Sequence, residues 1–137
     1  MTAHTAAPND RASFNLAINA ILADHATMRR LAAVAARGPH FSADDIMSLA
    51  DAMTAHEKTE AELFALPFIT RPPAAVGASA ANAHRRCREY TSGNTRVPEA
   101  AAAATLFVDA LLAHLEVEDA WLAQEREHES ERLRIIA

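Results

Sequence analysis

Hydrophobic residues recur at intervals of three and four along four separate stretches of the chain, with polar residues between them. This spacing places the apolar side chains on one face of an α-helix. The pattern predicts four helices, over residues 12–36, 42–66, 75–90 and 97–124. Three of them have well-defined inward stripes, which contain Phe14, Ile18, Ile21, Leu22, His25, Met28 and Ala32; Ile46, Leu49, Met53, His56, Glu60, Leu63 and Phe64; and Leu106 or Phe107, Leu111, His114, Glu118 and Trp121 or Leu122.

The ends of the predicted helices carry residues that favour starting or stopping a helix. Gly38 and Pro39 end the first, because glycine adopts the left-handed turn and proline cannot continue the helix. Ser42, followed three residues later by Asp45, resembles a capping box at the start of the second. The connections are short, so that sequential helices should be antiparallel. The predicted fold is therefore all-α, an up-down-up-down four-helix bundle.

The chain has 137 residues, enough for one domain with a single core. Residues 1–10 are predicted to be a disordered N-terminal lead, and residues 11–124 form the bundle. Residues 125–137 are predicted to continue the last helix as a charged, solvated extension, because glutamate and arginine replace the apolar stripe there. This extension is also a surface through which the chain can form an oligomer.

Charge and composition exclude some classes of partner. The formal net charge is −5, which argues against nucleic acid as a partner. No run of about 18 uninterrupted apolar residues is present, and we therefore expect no membrane span. The single cysteine, Cys87, cannot form an internal disulfide, which agrees with a cytoplasmic location.

Each predicted helix carries a histidine, and in two of the helices a glutamate follows that histidine by four residues. His56 is followed four residues later by Glu60, and His114 is followed at the same interval by Glu118. A four-residue step brings two side chains to within about 40° of each other on a helix face. The first and third helices each add one histidine, His25 and His84.

These residues lie near the middle of their helices, so that an antiparallel bundle would bring them to one depth. An unpaired carboxylate on an apolar stripe is costly to bury, whereas a bound metal compensates its charge. The mixture of imidazole and carboxylate ligands suits iron, manganese or zinc. Glu60 and Glu118, on different helices, could each bridge two cations. The pattern therefore predicts a two-metal centre of the non-haem iron type.

With these motifs the chain resembles the hemerythrin-like (HHE) domain family, in the variety with the pattern H…HxxxE…H…HxxxE. The resemblance spans residues 12–121 and rests on His25, His56 with Glu60, His84, and His114 with Glu118. Membership would imply a four-helix bundle that holds two non-haem iron ions with an oxo or hydroxo bridge.

The chain departs from the oxygen-carrying hemerythrins at two places. Those proteins have a second histidine four residues after the third-helix one, where this chain has Arg88. The resemblance therefore leaves one iron short of a ligand, for which Glu57 is the best replacement and Tyr90 a weaker one. Those proteins also have an aspartate five residues after the fourth-helix histidine. Asp119 stands at that spacing, but Glu118 points closer to His114 in a regular helix, so that Glu118 is the preferred ligand and Asp119 the alternative.

The candidate metal ligands are therefore His25, His56, Glu57, Glu60, His84, His114 and Glu118. An extra anionic ligand favours the ferric state and makes reversible dioxygen carriage less favourable. The expected function is the consumption of a small oxidant, hydrogen peroxide first of all. The alternative is a module that binds dioxygen, nitric oxide or iron for sensing or storage.

Overall fold

A computed structural model describes residues 8–38, 41–66, 69, 71–92 and 97–136, with side chains at positions 12–92 and 99–131 of these ranges. The described residues form four α-helices and contain no strand. The helices are α1 (Pro8–Ala35), α2 (Ala43–Phe64), α3 (Ala74–Ser92) and α4 (Val97–Ile136). The predicted all-α class is thus confirmed, with α1 against α2, α3 against α4, and α1 also against α4.

The predicted apolar stripes are buried almost throughout, and this is what holds the helices together. Among the residues left as alternatives, Phe107 is buried whereas Leu106 is exposed, and both Trp121 and Leu122 are buried. Phe64, predicted to face inward, is 39% exposed. It lies at the edge of the α2 stripe, where its ring contacts the ring of Trp121. The stripe of α2 therefore ends at Leu63, one residue earlier than the sequence pattern indicated.

The capping box predicted at the start of α2 is not formed. Ser42 is the residue before the helix and has extended backbone angles, but its side chain makes no capping hydrogen bond. Its carbonyl oxygen instead accepts the first helical bond from the Ile46 amide. The two acidic residues of the first turn, Asp44 and Asp45, remain favourable beside the positive end of the helix dipole.

The apolar core is divided into two clusters. One joins Met28, Ile46, Leu49 and Leu111 with their neighbours, and the other joins Phe14, Ile18, Ile21, Leu63, Val76, Trp121 and Leu122. Along α1, α2 and α4, the residues between these clusters include His25, His56 and Glu118, all buried. A layer of buried polar side chains therefore lies between two apolar layers in the helical bundle.

Helices α1 and α4 run in opposite directions. Arg29 of α1 pairs with Asp119 of α4, whereas Asn19, ten residues earlier, accepts a hydrogen bond from Arg126, seven residues later. The first half of α1 thus lies beside the part of α4 around Arg126, on the far side of the buried polar layer from Arg29.

This arrangement changes the picture predicted for the two ends of the chain. Helix α4 continues without a break past residue 124, and Glu125 and Glu129 are buried, so that this part of the extension is not fully solvated. The inward stripe of α4 continues at helical spacing with glutamates in place of apolar residues. At the other end α1 begins at Pro8, so that residues 8–10 are helical rather than disordered, and residues 1–7 lie outside the described part.

One helix passes a test of length and mean hydropathy for a membrane span. The stretch Glu99–Glu131 of α4 contains an apolar window that is 39% buried in the protein. The core helix of a globular bundle passes the same test, and this one carries buried His114 and Glu118 on its inward face. The finding is therefore weak evidence for a span.

Candidate metal centre

Four side chains from three helices converge in the polar layer. His25 of α1, His56 and Glu60 of α2, and Glu118 of α4 each offer one ligand atom, and these atoms lie within 4.8 Å of one another. Nε2 of His25 lies 3.2 Å from Nε2 of His56 and 2.9 Å from Oε1 of Glu118. Nε2 of His56 lies 3.1 Å from the same Glu118 oxygen and 2.6 Å from Oε1 of Glu60. This cluster can hold a metal ion.

A third imidazole lies on the other side of Glu118. Nε2 of His114 is 3.3 Å from Oε2 of Glu118 and 3.7 Å from Oε1 of Glu60. Glu118 therefore turns one oxygen towards His25 and His56 and the other towards His114. These five side chains are called the core cluster: His25, His56, Glu60, His114 and Glu118.

In all three histidines, Nδ1 forms a hydrogen bond with an oxygen atom of a residue that lies outside the core cluster. Asp119 accepts a hydrogen bond from His25 at 2.5 Å, and Asp24 accepts one from His56 at 3.3 Å. An ionised carboxylate can only accept, which assigns the proton to Nδ1 in both rings. The hydroxyl of Ser79 donates to the carbonyl of Val76, so that it accepts from Nδ1 of His114 at 2.8 Å.

With its Nδ1 proton directed outward, each neutral imidazole presents the lone pair of Nε2 to the interior. The lone pairs of His25 and His56 then face each other and repel unless a positive charge lies between them. Ligand atoms bonded to one metal at about 2.1 Å, with angles between 90° and 109°, are about 3.0–3.4 Å apart. The separation of 3.2 Å between these two nitrogens falls in that range.

Two buried carboxylate oxygens support the same conclusion. Oε1 of Glu60 and Oε2 of Glu118 have no partner in hydrogen-bonding geometry within the part of the chain that the structure describes. Oε1 of Glu60 lies near Nε2 of His56 and of His114, and Oε2 of Glu118 lies near Nε2 of His114, but none of these contacts has the alignment of a hydrogen bond. Buried carboxylate oxygens without donors are costly, and a cation bound between them would remove the cost.

In the metal-free cluster, the pKa values of the histidines and of Glu118 are shifted in the direction that favours positive charge on the imidazoles and negative charge on the carboxylate. Burial disfavours the charged form of His56, but the carboxylates of Glu118 and Glu60 outweigh burial and raise its pKa to about 10. The same balance raises the pKa of His114 to about 9. Burial opposes ionisation of Glu118, but the neighbouring imidazoles of His114, His25 and His56 outweigh burial and hold its pKa far below the usual range. Protons occupy the place of a cation here.

Two of the predicted ligands lie outside the core cluster. Nε2 of His84 is 2.7 Å from Oε1 of Glu57, and these side chains are 34% and 46% exposed. The two residues, here called the surface pair, connect α2 with α3. In this conformation they bind each other, and neither one joins the cluster.

The two alternative ligands also lie elsewhere. Asp119 is turned away from the core cluster and uses one oxygen on Nδ1 of His25 and the other on Arg29. Tyr90 is half-buried against the apolar cluster that contains Met28. Glu118 is the buried residue of the two, and its preference over Asp119 as a metal ligand stays a prediction.

Asp24 and Ser79, whose oxygens lie on Nδ1 of His56 and His114, were not identified from the sequence pattern. Asp24 directly precedes His25 in the chain but supports His56 of the neighbouring helix, so that its role depends on how α1 and α2 pack. Ser79 lies between Val76 and Ala83 on the inward side of α3. Its position as a small polar residue on an otherwise apolar stripe was the sequence signal that could have identified Ser79.

Comparisons of this chain with protein-family models, with curated proteins and with solved structures give no match. The chemical assignment therefore depends on the geometry of the core cluster.

Proposed function

We propose that the chain is a hemerythrin-like, up-down-up-down bundle with a non-haem centre of two iron ions, and that it consumes hydrogen peroxide. The observation that carries the proposal is the position of Glu118. Its side chain is fully buried, and its two oxygens face different imidazole groups, His25 with His56 on one side and His114 on the other. A carboxylate in this position can join two cations and offset their repulsion.

The ligand atoms favour a metal that accepts both nitrogen and oxygen. Three imidazole nitrogens and two carboxylates make up the core cluster, and the described residues place no thiolate within it. Such a mixture suits iron, manganese and zinc, and of these iron and manganese can exchange electrons with peroxide. Two iron ions bound here would supply Lewis acidity and pass two electrons from one peroxide molecule to a second, which gives two molecules of water and one of dioxygen in total.

The residues of the chain would contribute positioning, charge and proton transfer. The two apolar clusters on either side exclude water and strengthen the electrostatic interactions in the layer between them. Glu60 is the least buried member of the core cluster. Its carboxylate is therefore suited to accept a proton from a peroxide molecule that enters the cluster.

The test is elemental analysis of protein purified from iron-replete cells, followed by an oxygen electrode with added peroxide. We expect about two iron ions per chain and oxygen release that depends on them, because Glu118 has ligand side chains on both of its sides. Glu118→Gln should abolish both. Glu116→Gln is the matched control, since Glu116 is an exposed glutamate on the same helix, two residues away. Iron-loaded protein without peroxide turnover would contradict the proposed reaction.

One observation favours a second function, a module that binds iron, dioxygen or nitric oxide. His84 and Glu57 lie in the surface pair, which leaves five side chains for two metal ions. A sparsely ligated centre exchanges metal more readily, and this suits sensing or storage. A stable adduct of the reduced protein with dioxygen or nitric oxide, without peroxide turnover, would support this alternative.

A further inference from the structure

The three outer partners of the core cluster are chemically unequal. Both histidines on one side of Glu118 have a carboxylate on Nδ1, at 2.5 Å from Asp119 to His25 and at 3.3 Å from Asp24 to His56. On the other side, His114 has the neutral hydroxyl of Ser79 at 2.8 Å. The two sides of the cluster therefore differ in charge as well as in the number of imidazoles.

We propose that the two sides bind metal in order, the His25 and His56 side first and more tightly, and that Asp119 is the positioning residue responsible. This inference rests on the metal centre proposed above and adds the order of loading and the residue that sets it. A carboxylate on the Nδ1 proton of an imidazole draws that proton outward and increases electron density at Nε2. The increase makes Nε2 a stronger donor to a cation, whereas a hydroxyl contributes a dipole alone.

Arg29 explains why Asp119 acts from outside rather than as a ligand. Its Nη2 lies 2.6 Å from Oδ2 of Asp119, while Oδ1 accepts the bond from His25. Both carboxylate oxygens are therefore engaged, and turning Asp119 inward would break two charge-assisted bonds. The chain of contacts runs from a half-exposed arginine through Asp119 to His25, which is fully buried and lies 2.9 Å from Glu118.

The structure offers a matched pair of variants for the two sides. Asp119→Asn keeps the shape and an acceptor oxygen for His25 but removes the charge. Ser79→Ala removes the acceptor of His114 and leaves Asp119 and Arg29 intact. Loss of an outer partner typically weakens metal binding by about 10–100-fold. Asp119→Asn should show this loss in the first binding step, and Ser79→Ala should show a smaller loss in the second.

The experiment is a titration of the metal-free full chain with Co²⁺, followed by its visible absorption and by heat of binding. The parent should bind two ions in resolved steps. Asp119→Asn should weaken the first step by at least about tenfold and change the second by less than about threefold, with Ser79→Ala affecting the second step.

A second readout separates positioning from a general effect on folding. In the Zn²⁺-loaded protein, NMR should detect the Nδ1 proton of His25 far downfield, as in a strong bond to a carboxylate. Asp119→Asn should move that signal upfield and leave the Nδ1 proton of His114 in place. Circular dichroism of both variants should match the parent.

The outcomes distinguish this inference from the proposed centre. If the parent does not bind Co²⁺, then both the metal centre and the order of loading are wrong. If the parent binds two ions in equal steps, or if the two variants weaken the same step, then the metal centre stands and the order of loading is wrong. An unchanged His25 signal in Asp119→Asn would also overturn the role of Asp119.

Discussion

The core cluster and the surface pair are both contacts between histidine and glutamate, and the sequence pattern assigned both of them to the same metal centre. Their environments differ sharply. In the core cluster, Glu118 is fully buried and lies beside three imidazoles, whereas Glu57 and His84 of the surface pair are 46% and 34% exposed. In the cluster a proton or a metal must compensate the carboxylates, and at the surface water and mobile ions do so.

The difference between the two regions comes from helix phase rather than from depth along the bundle. On α3 the two buried residues, Val76 and Ala83, are seven positions apart and mark the inward direction. His84 directly follows Ala83 and is therefore rotated by about 100° from that direction. Glu57 bears the same relation to His56 on α2. Glu57 and His84 therefore each lie at the edge of an inward face, and they contact each other at the boundary between α2 and α3.

The largest expected effect in this comparison is that of Glu118→Gln. The variant keeps the size of the side chain and removes the charge that three imidazoles surround. Metal affinity should fall by more than the roughly 100-fold limit typical of outer partners, because a direct ligand is lost. The metal-free protein should lose about 3–5 kcal/mol of unfolding free energy, the usual cost of breaking a buried ion pair. Equilibrium dialysis and denaturant unfolding measure the two effects.

Glu116→Gln is the control for this prediction, because Glu116 is exposed on the same helix. It should change neither affinity nor stability by more than a surface substitution does. Equal losses in both variants would show that the charge of α4 as a whole matters, and the distinction between cluster and surface would then not hold.

The next largest effect should separate His114 from His84. His114→Ala removes the imidazole facing Oε2 of Glu118, and we expect loss of one of two bound metal ions. His84→Ala removes one partner of the surface pair, and metal stoichiometry should stay within error of the parent. Elemental analysis of the two variants, prepared side by side, makes the comparison. Loss of one ion in His84→Ala would show that His84 leaves Glu57 and becomes a ligand when metal binds.

Much of this architecture was predictable from the periodicity of the sequence. The positions of the helices and the inward stripes of α1, α2 and α4 followed from hydrophobic spacing, and the four-residue step from His114 pointed to Glu118, which is buried. Those predictions depend on contacts within one helix, where geometry is fixed by the backbone. In α3 the stripe consists of small residues such as Ala83, and the weak pattern left its phase undetermined.

Other features depend on how different helices meet, and no local pattern encodes this. Asp24 follows the phase of α1 but bonds to His56 of α2, and Asp119 bonds to His25 more than ninety residues away. Glu125 and Glu129 were predicted to be solvated because they are charged, yet the first half of α1 lies beside this part of α4 and they are buried. Composition alone indicated exposure, and tertiary packing decided otherwise.

A smaller and more specific effect is the pH dependence of the metal-free protein. The pKa of His56 is raised from 6.5 to about 10, so that its contribution to stability is complete below pH 6.5 and is lost as pH rises towards 10. The pKa of Glu118 is lowered from 4.5, so that its contribution is complete above that pH and is lost in acid. The free energy of unfolding should therefore be greatest between pH 4.5 and 6.5.

Bound metal should offset the loss of unfolding free energy that the metal-free protein shows as pH rises. A bound cation requires neutral imidazoles, so that protons compete with it and its stabilising effect grows as pH rises. Thermal unfolding from pH 4 to 10, with and without Co²⁺, should give curves that diverge above pH 6.5. His128→Gln, at an exposed position of α4, should follow the parent in both series. A metal-free protein of constant stability between pH 6.5 and 10 would contradict the electrostatic description of the cluster.

The smallest effect should come from Glu57→Gln, which removes the charge of the surface pair and keeps its size. An exposed ion pair contributes about 0.2–1 kcal/mol, because water screens the attraction and two side chains lose freedom in forming it. The loss of unfolding free energy should shrink further in 1 M salt, where the screening length is about 3 Å. Denaturant unfolding of Glu57→Gln at low and high salt, beside Glu118→Gln, measures this contrast. A loss above 2 kcal/mol that persists in salt, or a fall in metal content, would place Glu57 with the core cluster and restore the ligand role that its sequence position suggested.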